Sequence, residues 1–171
     1  EVRGIDDRTW RGKLIEGKFD GDVIITFRKG FVSGLIYSRD AVYEIVPRGD
    51  SHYLVQIDQS LYPECGGDVK GEAAVSTPTV VPEGGALDSG DRIDVLVVYT
   101  TATKNFLGGD AQAQVFAQQA IDATNTAYIN SKIRQRVRLV HSAEFAYFET
   151  TGCADRSRLR GNAGIQTFRH T

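Results

Sequence analysis

The first third of the chain is divided into short β-type segments with only brief connections between them. The segments are residues 9–18, 22–28, 31–38, 41–47 and 52–58, and all are rich in β-branched and aromatic residues. Turn signals such as Lys29-Gly30 and Ser38-Arg39-Asp40 separate them. Strands this short, joined by turns this short, predict an antiparallel meander with one face packed on a core.

The same pattern predicts the details of this sheet. Asp20-Gly21 is the strongest candidate for a tight hairpin turn. The large aromatic residues of the segments are expected to fill the core: Trp10, Phe27, Phe31, Tyr43 and Tyr53. Arg48-Gly49-Asp50 matches an integrin-binding tripeptide, but Pro-Arg-Gly-Asp is also an ordinary turn sequence, and we interpret it as a turn.

A second unit with a different pattern follows residue 91. Residues 69–91 contain prolines and glycines without a clear period, and we interpret them as an exposed linker. Residues 92–100 form an apolar strand, and residues 101–109 are expected to form a loop. A long helix is predicted after Asp110 as N-cap. Its expected core stripe is Ala113, Phe116, Ala117, Ala120, Ala123 and Ala127.

The helix is followed by a second alternating strand over residues 135–148. Val137, Leu139, His141, Ala143, Phe145 and Tyr147 are predicted to share one face of it, so His141 is expected to be partly buried. Strand, helix and strand form a βαβ unit, and two strands with one helix cannot close a core. We therefore expect three parts: a β-rich domain 1–68, a linker 69–91 and a truncated domain 92–171, in an α+β chain overall.

Composition limits the classes of partner. The chain has 171 residues, a net charge of −2 and a pI of about 5.9, which does not favour nucleic-acid binding. No apolar run approaches the ~20 residues of a membrane-spanning helix. The basic run Lys132, Arg134, Arg136 and Arg138 is interpreted as a helix end followed by a solvent-facing row. Because the chain begins at Glu1 and contains no methionine, we expect that an N-terminal piece, such as a signal peptide, precedes it.

Two blocks of the sequence resemble a known family. The first block is "IDVLVVYT" from Ile93, "TNTAYINS" from Thr124, "RLV" from Arg138, and Tyr147 with Glu149. It is similar to the opening of the catalytic domain in bacterial reprolysin-like zinc metallopeptidases, a branch of the metzincins. Residues 9–68 are similar to the β-rich proregion of the same secreted precursors. The resemblance implies a metzincin-like βαβ unit, zinc in the full-length enzyme, protein or peptide substrates, and a secreted or cell-envelope location in a bacterium.

The resemblance gives a role to one of the two cysteines. Metzincin proregions can carry a cysteine switch of the form P-R-C-G-x-P-D, and Pro63, Cys65, Gly66 and Asp68 stand in a similar order here, with Glu64 in place of the arginine. A thiolate from Cys65 would occupy the open fourth position of a catalytic zinc. Two alternatives stay open: a disulfide between Cys65 and Cys153, or an idle thiol.

The chain lacks the motif that would bind catalytic zinc in this family, H-E-x-x-H-x-x-G-x-x-H. Its three histidines, His52, His141 and His170, are too far apart for that motif. We therefore assign no catalytic residue, and we expect no strong metal binding by these 171 residues. The predicted function is an N-terminal fragment of a secreted zinc metalloendopeptidase precursor. The alternative is a non-catalytic secreted β-domain that binds a partner or inhibits a peptidase in trans.

Overall fold

The N-terminal part of the molecule is a six-stranded antiparallel sheet. A computed structural model describes residues 2–16, 19–61 and 92–150. The order of the strands in the sheet is their order in the chain, and every neighbouring pair is antiparallel. The strands are β1 (Val2–Gly4), β2 (Asp7–Glu16), β3 (Phe19–Arg28), β4 (Phe31–Tyr37), β5 (Val42–Arg48) and β6 (Ser51–Ile57). This confirms the predicted meander, to which the structure adds β1.

The C-terminal part contains two helices and a parallel pair of strands. β7 (Arg92–Thr100) leads into α1 (Thr101–Leu107) and α2 (Asp110–Asn130), and β8 (Arg136–Phe145) returns to pair with β7. Together with the sheet, these elements confirm a mixed α+β fold. None of the helices in the described ranges is long and apolar enough to cross a membrane.

The first hairpin does not turn at Asp20-Gly21, so this prediction is wrong. Ile15 pairs with Asp20 and Leu14 with Gly21, which places both predicted turn residues inside β3. The connection between β2 and β3 falls at residues 17–18, outside the described ranges. The reason is that β2 and β3 pair over their full length, and this pairing extends past the local turn signal.

A short helix forms where the sequence predicted a loop. The Thr100 side chain caps α1 by accepting a hydrogen bond from the Thr103 amide at 3.1 Å. Gly108 ends the helix in a left-handed conformation with a φ of 98°. Gly109 is the N-cap of α2, so the prediction that Asp110 is the cap is wrong. Asp110 is instead the first helical residue.

The core lies between α2 and the sheet, and it contains fewer aromatic residues than expected. Trp10 is 51% exposed and Tyr53 52%, while Phe27, Phe31 and Tyr43 are only partly buried. Trp10 alternates with residues that contact α2, so it points to the opposite face. The residues most deeply buried on the sheet are small or medium in size: Ile24, Thr26 and Ser33.

Helix α2 is buried on more than one side, because it packs against β3 and β4 and also against β8. Ala113 and Ala117 are buried as predicted, but Ala120 and Ala127 are exposed. The alanine stripe is therefore only partly correct. The buried positions of the helix also include many polar residues, namely Gln112, Gln118, Gln119, Asp122, Asn125 and Thr126.

Strand β8 does not keep one face along its whole length. Val95 pairs with Leu139 and Leu96 with His141, so Val140 is an extra residue in β8. Such an irregularity reverses the alternation of side chains beyond it. The prediction of one shared face from Val137 to Tyr147 is therefore wrong, and His141 is exposed rather than partly buried.

The turn between β5 and β6 contacts both helices. The Gly49 amide donates a hydrogen bond to the Leu107 carbonyl at 3.0 Å, and Gln112 Nε2 donates to the Gly49 carbonyl at 3.1 Å. The Arg48 guanidinium lies 3.9 Å from the centre of the Phe106 ring. Arg48-Gly49-Asp50 therefore forms the predicted turn, and two of its three residues are engaged within the molecule.

We predict that Gly108→Ala destabilises the chain more than Gly30→Ala. Both glycines have positive φ angles, so each alanine brings a backbone cost of about 1–2 kcal/mol. A Cβ at Gly108 would also lie 2.2 Å from the Gly49 nitrogen, whereas nothing lies within 4 Å at Gly30. The steric clash should add about 1–3 kcal/mol. Urea unfolding of both variants measures the difference; equal losses would contradict the close approach of the turn to α1.

Candidate functional site

The described part of the chain contains no metal centre. Within residues 2–16, 19–61 and 92–150, no group of three or more His, Cys, Asp or Glu side chains is placed to hold a metal ion. The nitrogen Nε2 of His52 accepts a hydrogen bond from the Val32 amide at 3.0 Å, which gives this histidine a structural role. Cys65, Cys153 and His170 lie outside the described residues. The described residues therefore do not provide the ligands of a catalytic zinc.

The most unusual group in the molecule is a buried carboxylate on α2. Asp122 is 1% exposed and lies at the interface between α2 and the sheet. It accepts hydrogen bonds from Thr9 Oγ1 at 2.5 Å and Thr26 Oγ1 at 2.7 Å. Arg3 donates to both of its oxygens, at 3.0 and 3.3 Å, and Gln118 Nε2 donates at 3.1 Å. The carboxylate thus joins α2 to three strands of the sheet.

Strand pairing brings these partners together. Thr9 of β2 and Thr26 of β3 are register partners, so their hydroxyls lie side by side on the face that meets α2. Arg3 on β1 is held by Asp7, whose carboxylate accepts from Arg3 Nε at 2.7 Å. Arg3 Nη1 also donates to Thr9 Oγ1 at 2.9 Å. These two contacts fix the orientation of the Arg3 guanidinium toward Asp122.

The buried charge of Asp122 is stable only because several hydrogen-bond donors surround it. Removing an ion pair from water is costly, and only close geometry and additional hydrogen bonds compensate. Asp122 has one cation and three neutral donors, which satisfies the capacity of a carboxylate. Hydrogen bonds to charged groups are also stronger than neutral ones. This group therefore strongly favours one placement of α2 on the sheet.

The rest of this interface is also polar. Two side chains of the sheet donate hydrogen bonds to α2. Arg11 Nε donates to Thr126 Oγ1 at 2.9 Å, and Arg28 Nη1 donates to Gln118 Oε1 at 2.8 Å. In the other direction, Asn130 Nδ2 donates to Asp22 Oδ2 at 2.8 Å. These bonds lie on both sides of Asp122 along the helix. We call the set of contacts between α2 and β1–β4 the sheet–helix interface.

On its other side, α2 is tied to β8 by an asparagine. The Asn125 side chain donates to the Val137 carbonyl at 2.8 Å and accepts from the Val137 amide at 2.9 Å. It therefore completes the hydrogen bonding of a strand residue as a neighbouring strand would. Asn125 and Asn130 belong to the segment that resembles the metallopeptidase helix, and both make structural hydrogen bonds.

A small ionic cluster joins α1 to the start of α2 and to β8. Lys104 Nζ lies 2.8 Å from Asp110 and 2.9 Å from Glu144. Hydrogen bonds from Lys104 lower the pKa of both carboxyl groups below their ordinary values, and those carboxylates raise the pKa of Lys104. Glu149 accepts from Thr100 and Thr103 at the first turn of α1. The cluster fixes α1 and contains no group arranged as a nucleophile with a base.

Sequence reasoning missed Asp122. It follows Ile121 in a helix rich in alanine, glutamine and small polar residues, and the apolar periodicity of that helix predicts a buried stripe through Ala120 and Ala123 instead. The available signal was the set of polar residues at helical spacing, Gln118, Asp122 and Thr126. Polar residues in such a row are normally interpreted as a solvated face, and only the opposing sheet identifies them as buried.

The comparisons with known proteins give one informative similarity. The chain is 28% identical over 172 residues to a peptidyl-Asp metalloendopeptidase of Stenotrophomonas maltophilia (strain K279a). The match covers 88% of this chain and 38% of that protein, so the chain spans well under half the length of its relative. No family model matches the chain, and no solved structure matches it. The chain is a distant relative of a metallopeptidase.

We predict that Asp122→Ala lowers the free energy of unfolding by about 3–5 kcal/mol. The substitution leaves the Arg3 guanidinium without its buried partner and removes the acceptor of two hydroxyls. The control is Lys13→Ala, which breaks an exposed ion pair with Asp22 but leaves the contact between Asp22 and Asn130 in place, and it should cost less than about 1 kcal/mol. Urea unfolding followed by circular dichroism measures both. Similar losses would show that Asp122 does not hold the interface.

Proposed function

We propose that this chain is part of the precursor of a secreted bacterial zinc metalloendopeptidase. Residues 1–68 would be its proregion, residues 69–91 a linker, and residues 92–171 the start of a metzincin-like catalytic domain. The distant relation to a metalloendopeptidase supports a role in metal-dependent peptide hydrolysis. The family resemblance of the blocks from Ile93 and Thr124 supports the finer assignment to reprolysin-like enzymes. Protein or peptide substrates follow from the same proposal.

The observation that carries the proposal is the polar character of the sheet–helix interface. A proregion must hold its enzyme in place and later be separated from it. Interfaces between partners that separate are rich in hydrogen bonds, whereas permanent ones resemble an apolar core. Around Asp122 the contacts are hydroxyl, amide, guanidinium and carboxylate groups. When the sheet leaves, water can replace these hydrogen bonds on α2.

The zinc ligands of the proposed enzyme lie in a motif that these 171 residues do not contain. When bound, the metal would polarise the peptide carbonyl and activate water for its hydrolysis. This chain would contribute α2, β7 and β8, which would form the start of the catalytic domain. It would also contribute Cys65, which we propose as the switch cysteine that holds the precursor latent.

The alternative function, a β-domain that binds a partner or inhibits a peptidase in trans, also uses the sheet. It differs in one respect: α2 would then be a permanent part of the domain rather than a surface from which the sheet is released. The sheet–helix interface is not a predominantly apolar core, and for this reason we favour the precursor.

We predict that the purified 171-residue chain hydrolyses no peptide bond when zinc is supplied, because catalytic zinc needs about three protein ligands. A longer precursor that includes the zinc-binding motif should hydrolyse casein after proteolytic removal of residues 1–91. Chelation should abolish that hydrolysis and added zinc restore it. Chelator-sensitive hydrolysis by the 171-residue chain would contradict the assignment of the zinc ligands. A processed precursor with no such activity would overturn the proposed function.

We predict that Cys65→Ser raises the activity of the uncleaved longer precursor, because the open zinc position would become available to water. Cys153→Ser is the matched control and should leave latency unchanged. If the two cysteines form a disulfide instead, both substitutions should lower stability alike, by roughly 2–4 kcal/mol, and neither should activate the precursor. Measuring thermal unfolding beside peptide hydrolysis separates these cases. Equal melting losses with unchanged latency would rule out the switch.

A further inference from the structure

A cavity lined by arginines lies where the sheet, α2 and the β7–β8 pair meet. Its volume is about 360 Å³. Two of its arginines come from the edge of the sheet, one from the first residue of β7, and two from β8: Arg3, Arg11, Arg92, Arg136 and Arg138. Asp122 is the one carboxylate among the described residues that line it. The cavity is therefore strongly positive, although the chain as a whole has a net charge of −2.

The nearby carboxylates neutralise only part of this charge. Asp122 is bonded to Arg3, and Asp94 pairs with Arg138 through two hydrogen bonds of 2.9 Å. Arg92 also acts on Asp94 through its charge, so that single carboxylate serves two arginines. The cavity thus has more guanidinium groups than carboxylates close to them.

Three of the arginines lack a carboxylate in hydrogen-bonding contact within the described ranges. Arg11 donates to the Thr126 hydroxyl, and Arg136 donates to backbone carbonyls. Arg92 and Arg136 are register partners across β7 and β8, so two like charges are neighbours in the sheet. Like charges on neighbouring strands repel each other. An anion between these groups would remove that repulsion.

The shape and chemistry of the cavity define the ligand class. Arginine binds carboxylate and phosphate oxygens through pairs of parallel hydrogen bonds, with geometric specificity that lysine lacks. Ligand cavities span about 300–1,000 Å³, and this one is at the small end of that range. We propose that the cavity binds a small, multiply charged oxyanion, either a phosphate or a dicarboxylate, held by Arg11, Arg92 and Arg136.

The position of the site gives the anion a structural effect. Arg11 belongs to the sheet, whereas Arg92 and Arg136 belong to the β7–β8 pair, so a bound anion would bridge the two units. Binding to the folded state alone stabilises a protein in proportion to the logarithm of ligand concentration. The site does not depend on the proposed peptidase function, because none of its arginines is assigned a role in hydrolysis.

The test uses the full 171-residue chain and two probes, inorganic phosphate and succinate. Thermal unfolding is measured with each probe and with sodium chloride at the same ionic strength. We expect phosphate, succinate or both to raise the melting temperature saturably, and calorimetric titration to give one site. A response to phosphate alone or succinate alone supports the site and identifies its ligand. No stabilisation beyond that of sodium chloride by either probe would overturn the proposal.

Substitutions locate the binding. Arg11→Gln, Arg92→Gln and Arg136→Gln should each weaken anion binding about tenfold. Without anion, Arg92→Gln should be about as stable as the original chain, because losing the repulsion from Arg136 offsets losing the attraction to Asp94. The matched control is Arg8→Gln, an arginine outside the cavity whose guanidinium lies 5.1 Å from the Phe27 ring. Equal weakening by Arg8→Gln would show general charge screening and overturn the assignment to this cavity.

Discussion

One buried carboxylate determines how the two parts of this molecule fit together. Asp122 is almost fully buried, so its charge is tolerated only where Arg3, Thr9 and Thr26 supply donors together. These donors lie on three successive strands, and only the paired sheet brings them close to one point. The placement of α2, and through it that of β8, follows from this requirement. Apolar burial around Ile24 and Val115 adds to stability, but it is non-directional and does not select one orientation of the helix.

The helix meets the two sheets with different chemistry. Toward the meander it presents Gln118, Asp122 and Thr126, whose partners are side chains. Toward β8 it presents Asn125, whose partners are the backbone amide and carbonyl of Val137. The contacts with the meander need particular side chains on both α2 and the sheet. The contact with β8 needs only the Asn125 side chain, because every residue type except proline offers the same backbone amide and carbonyl at position 137. This difference suits a helix that belongs permanently with β7 and β8 and that can be separated from the meander, as the proposed precursor requires.

The elements that rest on local signals could be predicted from the sequence. Lys29-Gly30 does form a turn, and both residues have positive φ angles, as a tight hairpin demands. Where long-range pairing decides the outcome, prediction failed: Asp20 and Gly21 pair with β2 rather than turn, and Trp10 faces away from the helix. Asp122 could not be predicted in this way, because its partners on the sheet are 96 to 119 residues away in the chain. The arginine cavity has the same origin, since strands far apart in sequence supply its lining.

The sequential strand order of the meander has a consequence for assembly. Each strand pairs with its neighbour in sequence, so the sheet needs only short loop closures, whereas the Asp122 contacts must wait for a distant helix. A slip of one residue between β2 and β3 would turn either Thr9 or Thr26 to the opposite face and leave the carboxylate short of a donor. Docking of α2 is therefore favourable for the native register alone. The helix thus stabilises the native strand register of a sheet that could form without it.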